Sequence, residues 1–342
     1  MLIETNQTSC NLFRLHVHLP CDGLNITVKE VSVNHIRTIG KLPENVGTLI
    51  TAFSGWSDAG DSATGAIRYL IRARKAKLIA EYEPEDFFDF TQNRPIVKVG
   101  DQGIRSLSWP KNEFYFSEGS EGNIPLLLFV GTEPNLKWGT FSNSFLDIAE
   151  LCGVKQIVTF GALLNAVPHT RKAQVNGSST SKQTLEIMER IGIVSGGTYE
   201  GPTGIASAII QIAKERGIDH TGFWGHVPHY IQTSPNPVVI ESILDKLRSV
   251  MGISVDLKEL EGESAAFIDR CEEAIKDDPS IRDYVERLEK YFDDIILEED
   301  LDIFPQQELG STQTTYGSND FPTTEDLVED LENFLRKRRN AD

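Results

Sequence analysis

From Val46 to Gly252 the chain alternates short apolar runs with longer amphipathic ones, and no other feature constrains the fold as much. "GTLITAF" (47–53), "KLIAEY" (77–82), "LLLFV" (126–130) and "VKQIVTFGAL" (154–163) read as strands, most of them apolar enough to be buried on both faces. "DSATGAIRYLIRAR" puts Ala66, Ile67, Leu70 and Ile71 on one face of a helix. "GTFSNSFLDIAELCG" and "GPTGIASAIIQIAKERG" are helices closed by Gly153 and Gly217, and "SSTSKQTLEIMERIG" and "NPVVIESILDKLRSVMG" are two more. Strands alternating with helices predict an α/β fold in which a mostly parallel sheet is covered by helices on both faces. "PIVKV" and "IRSLSWP", separated by a short glycine-containing turn, predict an antiparallel excursion.

Charge divides the chain differently. Residues 256–342 carry 26 acidic and 10 basic residues, which is −16 of the total −18 and leaves −2 for the first 255. The expected organisation is a core domain over 1–255 and an acidic helical region over 256–342, with a flexible linker at about 304–324. In "IRDYVERLEKYFDDII", Ile281, Tyr284, Val285, Leu288, Phe292 and Ile295 form an apolar stripe, which must be buried against something. The expectation is that the 256–300 helices cover the strand-end rim as a lid, and that a final helix follows the linker with Leu327, Leu331, Phe334 and Leu335 on one face. The acidic balance argues against nucleic acid or an anionic membrane as partner. No apolar run is long enough to span a membrane, and no signal peptide is visible at the start. Cys10, Cys21, Cys152 and Cys271 show no CxxC pairing, so reduced thiols in a cytoplasmic protein are expected.

In an open parallel sheet, ligands bind beyond the carboxyl ends of the strands. The loops there hold Trp56, Asp58 and Asp61; Glu133; His169 and Arg171; Tyr199, Glu200 and Thr203; and His226, His229 and Tyr230. Two of them repeat the tripeptide Val-Pro-His, at 167–169 and 227–229. Proline cannot donate to a ladder, so each copy marks a strand leaving the sheet and places a histidine at the rim. Each candidate also has a purely structural reading. Asp58 and Asp61 serve equally well as helix caps, with Asp61 the natural N-cap of the first helix. Glu200 is either a catalytic carboxylate or a turn residue. "GPTG" could present amides to an anion, although it lacks the lysine of a phosphate loop. His226 and His229 lack the glutamate and helix of a zinc-protease motif, so hydrogen-bonded rim histidines are expected and a metal is not. There is no GxSxG, no GxGxxG and no cysteine framed as a nucleophile, so no cofactor is expected.

Taken together, "GWSDAGDSATGA", "EPEDFFDF", "GTEPNLKW", "FGALLNAVPHTR", "YEGPTGI" and "VPHYIQTSPNP" resemble the proteasome assembly chaperone 2 family, most closely its actinobacterial branch. "TEDLVEDLENFLRKR" looks like that branch's closing helix. The resemblance implies a phosphorylase-like three-layer α/β/α sandwich with a helical C-terminal addition. It also implies a homo-oligomer, a trimer by the phosphorylase-like analogy, that binds protein partners and has a ligand-accessible rim. Several eukaryotic and archaeal relatives end in a hydrophobic-Tyr-X tail that docks into proteasome pockets. The last residues here are Arg339-Asn340-Ala341-Asp342, so tail docking is not expected. Two functions stay open at this point: an assembly or binding protein, or a hydrolase or phosphorylase-like enzyme acting on a small polar substrate at the strand-end loops.

Overall fold

The computed structural model describes residues 33–100, 103–119, 123–193 and 200–301, with side chains as far as Asp294. In chain order the elements are β1 (Ile36–Thr38), β2 (Thr48–Ser54), α1 (Ser62–Ala73), β3 (Lys77–Tyr82), β4 (Ile96–Val99), β5 (Arg105–Ser108), β6 (Asn112–Ser117), β7 (Leu126–Thr132), α2 (Trp138–Leu151), β8 (Gln156–Asn165), β9 (Val175–Ser179), α3 (Lys182–Arg190), α4 (Ile205–Glu215), β10 (Asp219–Pro228), α5 (Pro237–Met251), α6 (Lys258–Ile275) and α7 (Pro279–Leu301). The expected linker at 304–324, the final helix, Cys10, Cys21 and Tyr199 lie outside the described residues.

Eight strands form one sheet in the order β1-β3-β6-β7-β2-β8-β10-β9. Its centre, β7-β2-β8-β10, is parallel throughout. The flanking pairs β1/β3, β3/β6, β6/β7 and β9/β10 are antiparallel, which leaves β3 pointing the same way as the central four. β4 and β5 pair antiparallel as a separate two-stranded ribbon, the excursion expected from the sequence. Two antiparallel strands depart from the sequence reading. Asn112–Ser117, not assigned as a strand from the sequence, forms β6 between β3 and β7. Ser178 and Ser179, read as the start of a helix, end β9 opposite Gly222 and Thr221, and α3 begins only after Ser181 accepts from the Thr184 N–H at 3.4 Å.

Alternation along β2 sorts the core into two halves. Leu49 and Phe53 face α2 and α4, where Phe114, Phe129, Phe141 and Phe145 fill the layer. Ile50 and Ala52 face α1 and α5. This is the three-layer α/β/α arrangement. Tyr82 stacks on Phe141 with centroids 4.2 Å apart and donates its hydroxyl to the Phe141 carbonyl at 2.7 Å, which satisfies a fully buried phenol. On the opposite face, α5 sits close to both β10 and α1 because glycine faces it. A Cβ on Gly225 would lie 2.4 Å from Val239, and one on Gly65 would lie 2.5 Å from Ile240.

The charge step near residue 256 is not a step in packing. Val255, Leu257 and Leu260 join Ile243, Leu244 and Leu247 in one buried cluster, and the Tyr69 hydroxyl donates to the Asp256 carbonyl at 2.7 Å. The chain divides instead into Met1–Asp294 and Ile295–Asp342, inside α7. Apolar spacing, rather than charge, decides which helices share the core. Cys152 is buried and Cys271 half-buried, and both are free thiols.

His220, near the start of β10, is buried with its Nε2 2.9 Å from the Thr159 hydroxyl. Burial pushes its imidazole down from the usual 6.5 to about 4. The unfolded chain therefore binds a proton between those values that the folded chain refuses. Stability contributed here is complete above about pH 6.5 and is lost as pH falls toward about 4, by on the order of 3 kcal/mol in all. We expect the urea midpoint of the protein to fall between about pH 7.5 and about pH 5, and His220→Gln to flatten that dependence. An unchanged slope in the variant would remove His220 as its source.

Candidate functional site

The strand-end loops at the carboxyl edge of β2, β7, β8 and β10 hold most of the residues singled out in the sequence, and the fold uses them in two different ways. The first concerns helix starts. After β2 the chain turns through Gly55 (φ 132°), and the Ser57 carbonyl accepts from the Ala162 N–H of β8 at 2.9 Å. This anchors Asp58, which is 6% exposed. Its Oδ1 accepts from the N–H groups of Ala63 at 2.8 Å and Thr64 at 3.1 Å, and its Oδ2 accepts from the Thr64 hydroxyl at 2.6 Å. Burial pushes the Asp58 carboxyl above its usual value, and these three donors oppose the shift. Asp58, not Asp61, therefore caps α1. Asp61 precedes the helix in a left-handed conformation (φ 45°), its side chain makes no cap bond, and it accepts instead from the Ser234 hydroxyl.

Glu133, just beyond β7, does the same for α4. Its Oε1 accepts from the Ile205 N–H at 2.7 Å. The Ile205 amide that follows "GPTG" is thus already opposite a carboxylate. Glu200 and Thr203 are exposed, and the Thr203 hydroxyl bonds to the Ser207 hydroxyl within its own turn. Trp56 is 61% exposed.

The second use is a latch built on the two Val-Pro-His copies. β8 and β10 are neighbours, with Pro228 opposite Asn165, so the copies leave the sheet side by side. The Asn165 carbonyl accepts from the His229 N–H at 3.1 Å, with His229 Nδ1 also 3.1 Å away. The Asn165 amide donates to His226 Nδ1 at 2.7 Å. The Tyr230 hydroxyl accepts from the His169 N–H at 2.8 Å and donates to His169 Nδ1 at 2.7 Å. α7 closes over this network. Tyr284 lies 3.1 Å from His229 Nε2, and its ring meets those of His229 and Tyr230 edge-on. Arg171 grips Asp293 with two bonds of 2.9 and 2.8 Å and reaches Glu289 at 3.4 Å, while Thr170 donates to Glu289. Arg171 holds the Asp293 carboxyl below its usual range.

With Nδ1 accepting on both His169 and His226, each carries its proton on Nε2, and both Nε2 atoms are buried without a partner among the described residues. Burial pushes both imidazoles below the usual histidine value. They line a space of about 10 Å³ under Phe267, room for one water at most. The candidates therefore split into two helix caps (Asp58, Glu133), one latch (His169, Arg171, His226, His229, Tyr230) and surface positions (Trp56, Glu200, Thr203), with Asp61 in a turn contact. Of these, His169, Arg171 and His226 share the lining of that small space. Among the described residues no cluster of three or more His, Cys, Asp or Glu is arranged to hold a metal. The sequence reading missed Asn165, Glu289 and Asp293, because nothing in the local pattern shows which acids of an acidic helix face inward. It also missed the open cleft of about 810 Å³ between α1 and Trp109.

The PAC2 family model matches residues 52–275. The structure is similar to that of a PAC2 family protein from Streptomyces avermitilis, with 32% identity, a TM-score of 0.62, and coverage of 70% of this chain and 99% of that one. It is also similar to a Mycobacterium tuberculosis proteasome-assembly chaperone homologue, at 32% identity and a TM-score of 0.63 over 70% of this chain and 99% of that one. The Pyrococcus furiosus archaeal proteasome activator PbaB shares the fold at 18% identity, with a TM-score of 0.56 over 70% of this chain and 97% of that one. No curated protein matches this sequence.

Two outcomes follow from the caps and the latch. Asp58→Ala strands two buried amides and a hydroxyl, so chemical denaturation is expected to register a loss of about 2–3 kcal/mol, with Asp58→Asn recovering part of it. A loss below about 0.5 kcal/mol would show that the cap is dispensable. Arg171→Ala is expected to leave the thermal midpoint nearly unchanged, since its ion pairs are half-exposed, while hydrogen exchange along α7 becomes several-fold faster. Unchanged exchange would dismiss the latch.

Proposed function

The chain belongs to the PAC2 family, and from that premise we propose that it is a homo-oligomeric, non-enzymatic protein that binds and helps assemble protein partners. The observation that carries this reading is the use made of the strand-end edge. Its carboxylates cap helices and its histidines clamp α7, so the groups best suited to acid–base chemistry are committed to the fold. The space left beside His169 and His226 is about 10 Å³, whereas small-molecule sites occupy roughly 300–1,000 Å³. A rim pocket is accordingly no part of the proposal.

The partner class follows from the relatives. One of those at 32% identity is a proteasome-assembly chaperone homologue, so the proposed partner is a proteasome or a comparable ring of protein subunits. The trimer favoured by the phosphorylase-like analogy and the cytoplasmic setting expected from the sequence belong to the same proposal. It is consistent with them that no described helix is long and apolar enough to cross a membrane. Native mass spectrometry of the purified full chain is expected to give a defined multiple of its 38.1 kDa, three chains by preference. A monomer at every concentration tested would overturn the assembly reading.

A further inference from the structure

Among the described residues the β4–β5 ribbon pairs with no other strand. It and its flanks expose Ile96 (64%), Val97 (54%), Val99 (66%), Ile104 (68%), Leu107 (56%) and Trp109 (41%). Val97 lies opposite Leu107, and Val99 opposite Arg105, so Val97, Val99, Arg105 and Leu107 share one face. A lone two-stranded ribbon is at best marginally stable in water, and a continuous apolar patch on a soluble protein marks a contact surface. At roughly 200 Å² for each fully exposed side chain, Val97, Val99 and Leu107 present roughly 350 Å² on that one face, about half of the ~800 Å² each partner contributes to a standard interface.

Charge indicates what covers the ribbon. Among the described residues Arg105, on the face shared with Val97, Val99 and Leu107, enters no ion pair, on a protein whose net charge is −18. The complementary surface is the outer side of α6. There Glu261, Ala265 and Asp269 form an exposed i, i+4, i+8 row whose two acids enter no ion pair among the described residues, and the small Ala265 leaves the row flat between them. Ribbon against ribbon on this face would instead set Arg105 near its own copy. We infer that the β4–β5 ribbon of one chain docks on the Glu261–Asp269 face of α6 in a second copy. This is a head-to-tail contact, of the kind that closes into a ring when its rotation divides a full turn. The inference rests on the homo-oligomer reading above and names its surface.

The test uses the full-length chain and measures its assembly by mass across a concentration series. The variants are Leu107→Asp, Arg105→Glu, the pair Glu261→Lys with Asp269→Lys, and a chain carrying Arg105→Glu together with that pair. All the substituted residues are exposed, so far-UV circular dichroism is expected to match the parent. Leu107→Asp and each one-sided charge reversal should raise the concentration for half-assembly about tenfold or more, and the combined variant should return to within about threefold of the parent. A monomeric parent would overturn the assembly reading and this surface with it. An assembling parent with unaffected Leu107→Asp and Arg105→Glu variants would overturn only the surface. Disruption by Leu107→Asp without any effect of the α6 pair would overturn the head-to-tail contact in favour of ribbon against ribbon.

Discussion

A buried helix N-terminus needs hydrogen-bond acceptors, and that requirement organises the carboxyl edge of this sheet. α1 and α4 both start against it, with amide groups that water cannot reach. Each finds a carboxylate. Asp58 comes from the loop just ahead of α1, but Glu133 reaches α4 from the end of β7, 72 residues away in sequence. Parallel α/β sheets ordinarily present this edge to a ligand. Here the helix dipoles meet the protein's own carboxylates, so the electrostatic attraction for an outside anion is already neutralised.

The second half of the edge is closed by a helix. Two copies of Val-Pro-His bring His169, His226, His229 and Tyr230 beside Asn165, which bonds to both His226 and His229. α7 then contributes Tyr284 from its apolar stripe and Glu289 and Asp293 from its acidic flank. Arg171 sets the orientation: it draws those two acids onto the core, leaving acids such as Asp283 and Glu286 exposed. A helix with so much negative charge can pack on the core because its inward acids meet a guanidinium rather than an apolar surface.

Much of the fold is legible in the sequence wherever one periodicity acts alone. β2, β3, β7 and β8 and helices α1, α2, α4 and α5 follow from apolar runs and 3.6-residue spacing. β6 and β9 are harder, because "NEFYFS" sits between turn-forming segments and "VNGSS" has almost no apolar content. Their strand character comes from ladder bonds to β7 and β10. The candidate residues were legible as a group but not in their roles. Asp58 and Asp61 look interchangeable as caps, and only the turn through Gly55 and the Ser57–Ala162 bond decides between them. Similarly, nothing near Glu133 announces a helix 72 residues downstream. Long-range contacts set chemical role, and a single sequence does not display them.

The central claim is that the histidines of this edge are closed inside the fold rather than presented to solvent or ligand. The most direct measurement is a nuclear magnetic resonance titration of the His169 and His226 imidazoles in the folded protein. The account predicts neutral rings with the proton on Nε2, both titrating below the usual histidine value of about 6.5. Titration of either ring at or above that value, with the tautomer mixture of a solvent-exposed histidine, would contradict it.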